Sequence, residues 1–390
     1  MAKKPQISRR EFLKLSAIGL GGLVLSGRNP RSVLSQTSQI ITDDPYAPIF
    51  PENIRLGRVC VGGPGTPIGI FSEPHMNSTQ IRRAYFDEIF MWKKQVVTRA
   101  VNINFNAINQ RWVETDEGYI YADVLQPVEH RIHQPLTQLP EQEDGSRGMW
   151  VEITTPYSPI ELIKPKENHQ WWIRDPNNIY PRVHYSQVFW VFDIRQHPAT
   201  NQTQYCLQQG PGSLPDVYWV DASICEPIKP ESIEPIHPEV GDKLIVVRIR
   251  NRGLSTLTCY EGDQEVFFTT TSVGRISEES GRSFTPLGTH TPWRKLVSMH
   301  YSADGQYNDN FDIPGVGWNF GIEPNGVFIH STYWHNGFGN MHSAGCINLR
   351  PEDAKWVWRW VEPQAPYNYP GLSEWQGSGI STLVRVEEVG

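Results

Sequence analysis

His330 and Cys346 are the residues of this chain whose types and spacing point most directly to chemistry. Val327, Phe328 and Ile329 form a β-favouring apolar run that carries His330 to a strand end, where a catalytic side chain reaches solvent. Fifteen residues separate His330 from Cys346, and Gly337 and Gly339 loosen the stretch between them. Gly345, immediately before Cys346, permits a backbone approach that a side chain would block. A thiol attacks a carbonyl as its thiolate, and an imidazole can accept the proton, so the two read as nucleophile and base. Two other fates compete with this reading. A Cys is often a small buried hydrophobe, and His330, His335, His342 and Cys346 together could ligate zinc. Their spacing matches no common zinc motif, so neither a metal nor another cofactor is expected. His290 and His300 are expected on exposed strand positions, without partners or a role.

His330, a loop, and then Ser343-x-Gly345-Cys346-x-Asn348 resemble the catalytic signature of the L,D-transpeptidases, the YkuD-like family. YEG at 260–262, SVG at 272–274, TPLG at 285–288 and WHNGFG at 334–339 extend the resemblance over 238–390. It implies that Cys346 is the acylated nucleophile and that His330 is its base, oriented through the backbone carbonyl of Ser331. It also implies oxyanion donors at the N–H groups of Gly345 and Cys346, and substrate contacts from Ser343, His342, Asn348, Trp334 and His335. His335 reads equally as a residue that merely satisfies a loop carbonyl. Family members carry a His between the Ser and the Gly, where this chain has Ala344. Residues i and i+2 of an extended segment share a side, so His342 is expected to replace the missing imidazole.

The implied partner is a peptidoglycan stem peptide, and the implied reaction is release of D-Ala from a tetrapeptide stem with acyl transfer to an amine, giving 3→3 cross-links. Water as acceptor would make the protein an L,D-carboxypeptidase. A catalytically silent wall-binding protein is the non-enzyme alternative, motivated by Ala344. A papain-like wall endopeptidase would place Cys before His, the reverse of the order here.

Several elements must hold these residues. KLIVVRIRN at 243–251, STLTCYEG at 255–262 and EVFFTTTSVG at 265–274 read as strands, the first buried on both sides for part of its length. PEDAKWVWRWVEP at 351–363 reads as a short helix: Pro351 suits its first turn, Glu352 and Asp353 its positive end, and Trp356 with Trp360 its apolar stripe. Residues 381–389 give a closing strand.

Upstream, YIYADVLQPV at 119–128 and WVDASICEPI at 219–228 share an aromatic start, an apolar pair and a closing Pro. Repetition at this offset suggests two small β units, expected at 54–128 and 148–228, rather than a solenoid. Both resemble bacterial SH3-like domains, which would hold the protein on the wall, shape its groove or act as spacers. The expected fold is therefore mainly β: two SH3-like barrels followed by a β-rich catalytic domain at 238–390 with one short helix.

Residues 8–14 read SRREFLK and precede an uncharged apolar run from Leu15 to Leu25. That pattern over 1–27 resembles a twin-arginine export signal, with a linker over 28–53. Its apolar run is too short to span a ~30 Å hydrocarbon core. The expected location is the cell envelope, periplasm or outer wall face, with the inner membrane met only during export. The net charge of −7 is made more acidic beyond the basic N-terminus, which argues against a nucleic-acid partner. Five cysteines are an odd number for an exported chain, and Cys206 with Cys225 is a candidate disulfide inside the second barrel.

Overall fold

The computed structural model describes residues 54–61, 67–98, 110–162, 182–210, 217–250, 253–278, 280–302, 312–374 and 382–389. The expected export signal over 1–27 and linker over 28–53 lie outside them. Among the described residues no helix is long and apolar enough to cross a membrane.

Eight short strands occupy the first part: β1 (Leu56–Val59), β2 (Ile68–Phe71), β3 (Gln80–Ala84), β4 (Ile89–Met91), β5 (Lys94–Val97), β6 (Arg111–Glu114), β7 (Tyr119–Tyr121) and β8 (Leu125–Val128). They pair as two sheets, ordered β4-β1-β8 and β3-β2-β7-β6-β5, around a core of Val59, Ile70, Phe90, Val113, Ile120 and Leu125. Eight more follow: β9 (Met149–Ile153), β10 (Tyr157–Pro159), β11 (Glu161–Leu162), β12 (Arg182–His184), β13 (Val188–Gln196), β14 (Thr203–Gln208), β15 (Val217–Asp221) and β16 (Cys225–Pro227). Their main sheet runs β11-β15-β14-β13-β9-β16. Both repeat segments take one path, a strand, a 3-10 turn (Ala122–Val124 or Ala222–Ile224) and a strand. None of these strand orders returns on itself, so the described sheets are open rather than the closed barrels expected from the sequence.

The remaining strands are β17 (Lys243–Ile249), β18 (Thr256–Glu261), β19 (Gln264–Thr270), β20 (Val273–Gly274), β21 (Gly288–His290), β22 (Arg294–Ser302), β23 (Asp312–Glu323), β24 (Val327–Ser331), β25 (Met341–Ser343), β26 (Ile347–Leu349), β27 (Leu372–Glu374) and β28 (Thr382–Glu388). Two five-stranded sheets result, β19-β18-β17-β28-β21 and β26-β24-β23-β22-β27, with α1 (Pro351–Trp360) following β26 directly. Ile245, Val247, Leu257, Ile329, Ile347, Val357, Trp358 and Trp360 share one core. The inward row of β17 includes Lys243, whose ammonium donates to the carbonyls of Ile236 and Trp360 and so ends buried but satisfied. Trp356 stacks on Trp360 at 6.0 Å and on Phe267 at 4.3 Å, the stripe that the i, i+4 spacing predicts.

Trp150 of β9 and Trp190 of β13 belong to this same core. Their rings meet edge to face at 5.3 Å, and the Trp150 indole donates to the carbonyl of Tyr367. All five cysteines are free thiols, so the candidate pair Cys206 and Cys225 is not a disulfide; each is packed separately as a small buried side chain.

Candidate active site

β24 delivers His330 at its end and buries it. The ring is fixed by Nδ1–H, which donates to the Ser331 carbonyl at 2.7 Å. With Nδ1 carrying the proton, Nε2 holds the free lone pair, the state a general base needs. Burial pushes the imidazole down to about 4, only partly offset by that hydrogen bond, so the ring is neutral at pH 7.

Cys346 immediately precedes β26, which runs parallel to β24 with His330 opposite Asn348. Strands ~4.8 Å apart and ~3.3 Å of rise per residue set the Cα atoms of His330 and Cys346 about 8 Å apart, a gap two side chains can close. The Cys346 thiol donates weakly to the Gly326 carbonyl at 3.6 Å, and burial pushes it up to about 11 against a hydrogen bond from the Phe328 backbone. The resting pair is therefore thiol and neutral imidazole, not a preformed thiolate and imidazolium. Tyr301 of β22 stands by both. Its ring lies 4.9 Å from that of His330, and burial together with the Cys346 sulfur raises its phenol well above the usual range. The hydroxyl donates to Asn319 at 2.9 Å.

The turn into Cys346 is built by Ser343 and Gly345. The Ser343 hydroxyl donates to the Cys346 carbonyl at 2.5 Å and accepts the Gly345 N–H at 3.1 Å. Gly345 has φ of +143°, a conformation open to glycine, and its carbonyl accepts from the buried Thr285 hydroxyl at 2.8 Å. The Ser343 hydroxyl and the Gly345 N–H are thus both engaged inside the turn.

Asn348 also faces inward. Its amide donates to Thr332 at 2.7 Å, and its backbone exchanges hydrogen bonds with Ser272, so it braces the strand that follows Cys346. Trp334 lies 5.8 Å from His330, ring to ring. His335 is buried beside it, accepts the Gly337 N–H at Nδ1, and keeps an Nε2–H with no acceptor among the described residues. Burial, with the neighbouring His342 and His330, holds it well below the ordinary histidine range. His342 stacks on His335 at 4.7 Å, over Gly337, where a Cβ would sit 2.2 Å from His342 Nε2. Its ring stands against that of His335.

His290 and His300 are buried rather than exposed. His290 bonds Glu323 at 2.5 Å and Pro286 O at 3.0 Å, partners that chain order does not reveal. Tyr301 and Asn319 reach the site only through the pairing of β22 and β23 and carry no local motif, whereas Thr285, the first residue of TPLG at 285–288, reaches it through its hydroxyl on the Gly345 carbonyl. Among the described residues no three His, Cys, Asp or Glu side chains gather to hold a metal.

Residues 242–370, which include His330 and Cys346, match the family model of the L,D-transpeptidase catalytic domain (YkuD). Among curated proteins there is no match. Similar solved structures include an L,D-transpeptidase from Stackebrandtia nassauensis, 18% identical, covering 41% of this chain and 60% of that one at a TM-score of 0.25. Another is an L,D-transpeptidase from Mycobacterium smegmatis, 12% identical over 66% of this chain and 98% of that one, at a TM-score of 0.28. A third, an L,D-transpeptidase in complex with imipenem, is 15% identical over 66% of this chain and 99% of that one, also at 0.28.

Proposed function

We propose that the protein is an exported, cysteine-dependent peptidoglycan L,D-transpeptidase, with two β units at 54–128 and 148–228 ahead of a catalytic unit at 238–390. The observation that carries this is His330, held by the Ser331 carbonyl with Nε2 unprotonated, on the strand beside Cys346 inside the family-matched segment.

In the proposed reaction Cys346 Sγ attacks the carbonyl of the third residue of a tetrapeptide stem while His330 Nε2 takes the thiol proton. A C–S bond forms, the C–N bond to the terminal D-Ala breaks, and the same proton leaves with the amine. A side-chain amine of a neighbouring stem then attacks the thioester, giving up a proton through His330 and restoring the thiol. The Cys346 N–H stabilises the oxyanion of both tetrahedral intermediates, a donor worth ~3–4 kcal/mol where it is well placed. Because the resting pair is neutral, proton transfer accompanies attack instead of preceding it.

Incubation with muropeptide tetrapeptides, read by mass spectrometry, tests the reading. Loss of D-Ala with cross-linked dimers is the expected result. Tripeptides without dimers would reassign the protein as an L,D-carboxypeptidase, and binding without mass change would make it a silent wall binder. A carbapenem should leave a covalent adduct on Cys346.

A further inference from the structure

The loop from Thr332 to Asn340 connects the base to the segment bearing the nucleophile, and its inner side carries Trp334 and His335 against His330. Its outer side is held by the first β unit. The Asn336 N–H donates to the Asp123 carbonyl at 2.9 Å, and the Asn336 side-chain amide donates to the carbonyls of Ala122 and Leu125 at 3.0 and 3.1 Å. Arg111 donates to the Asn336 carbonyl at 3.0 Å, Asn340 donates to the Asp123 carboxylate at 2.5 Å, and Arg58 donates to the Tyr333 carbonyl at 2.6 Å. Asp123 and Asn336 are both buried, so each lost partner would leave a polar group unsatisfied.

The internal repeat supplies an independent comparison. In the second unit the turn Ala222–Ile224 is capped locally, with the Asp221 carboxylate accepting the Ser223 N–H, and Ser223 stands where the first unit has Asp123. The first turn has no side-chain cap at all. The Asp123 carboxylate is thus not needed to form its own turn; it faces Arg111 and, across the boundary, Asn340.

We propose that Asp123 is a positioning residue for the catalytic pair, acting through the Thr332–Asn340 loop, so that the first β unit is a working wall of the active site and not a spacer. This deepens the transpeptidase reading and rests on it for the substrate, but its test does not. In the full chain, Asp123→Ala and Asn340→Ala are compared with wild type by two probes at pH 7: alkylation by iodoacetamide, mapped by mass spectrometry, and acylation by a carbapenem. The Cys346 thiol is already partly exposed, and a loosened loop hydrates it further, so its alkylation should rise about tenfold for each unit its pKa falls. Acylation should fall by about 10- to 100-fold, because the base is misplaced. Cys206, Cys225 and Cys259 are buried away from the Ala122–Val124 turn and serve as internal reporters of global unfolding, whereas Cys60, whose N–H donates to the Val124 carbonyl, reports on the turn itself. If those reporters of global unfolding react as well in Asp123→Ala, that variant has unfolded and Asn340→Ala, whose side chain is only partly buried, decides the matter. Both rates within twofold of wild type, in a variant whose other thiols stay protected, would overturn the proposal. A wild type that no carbapenem acylates would instead count against the transpeptidase reading, while the iodoacetamide arm still decides the role of Asp123.

Discussion

Replacing His330 by Ala separates a neutral thiol–imidazole pair from a preformed ion pair. With the Cys346 thiol at about 11, about one molecule in 10,000 carries the thiolate at pH 7, a free-energy gap of about 5 kcal/mol. In the proposed mechanism His330 closes that gap during attack, and since the ring protonates only near 4, acylation should be flat across neutral pH and fall as pH drops toward 4. The His330→Ala variant has no such acceptor, so its acylation at pH 7 should drop by about 100- to 10,000-fold. It should then recover tenfold per pH unit as the thiol ionises unaided. Carbapenem acylation followed by mass spectrometry across pH 4 to 10 gives both profiles. A wild-type rate that climbs through neutral pH, a variant profile without unit slope, or thiolate absorbance in the wild type at pH 7 would refute the neutral-pair mechanism.

Two further substitutions probe the packing around the site. Gly337→Ala puts a Cβ 2.2 Å from His342 Nε2, so the His342 ring should leave His335 and its pKa, held down by burial, should rise toward the ordinary value of ~6.5. An NMR titration that shows His342 unmoved contradicts this. Trp150→Ala removes a fully buried ring at the seam between the second unit and the C-terminal core, and should cost about 3–5 kcal/mol. Urea unfolding should remain a single transition at lower denaturant, and two separated transitions would show that the seam does not unify the chain.

The elements nearest the chemistry were legible because local signals set them. The apolar run at 327–329 does end in a buried strand carrying His330, and Pro351, the acidic first turn and the tryptophan stripe do start a helix, which ends at Trp360. The strand expected over 243–251 occupies Lys243–Ile249. What the sequence hid is long-range. Asn340 and Asp123 lie 217 positions apart, and Tyr301 meets His330 only because β22 and β24 flank β23. The burial of His290 was equally invisible, since its partner Glu323 lies 33 positions away. The bonds of the Ser343 hydroxyl to its own turn were not legible either, because a hydroxyl can face a ligand or its own turn and residue type alone does not choose. The open sheets upstream show the matching limit for β structure: strand content can be read from composition, whereas closure depends on pairings that no local pattern encodes.

The parallel pairing of β17 with β28 joins Lys243 to Thr382 and Ile249 to Glu388. β28 also lies between β17 and β21, so a segment synthesised long after β17 becomes an interior plank of its sheet. A nascent chain still tethered at the ribosome therefore exposes the open flank of β17 until residues 382–388 emerge. Assembly of the unit that carries the thiol waits for that late segment and bears a large loop-closure cost, so it should proceed on the slow side of single-unit folding.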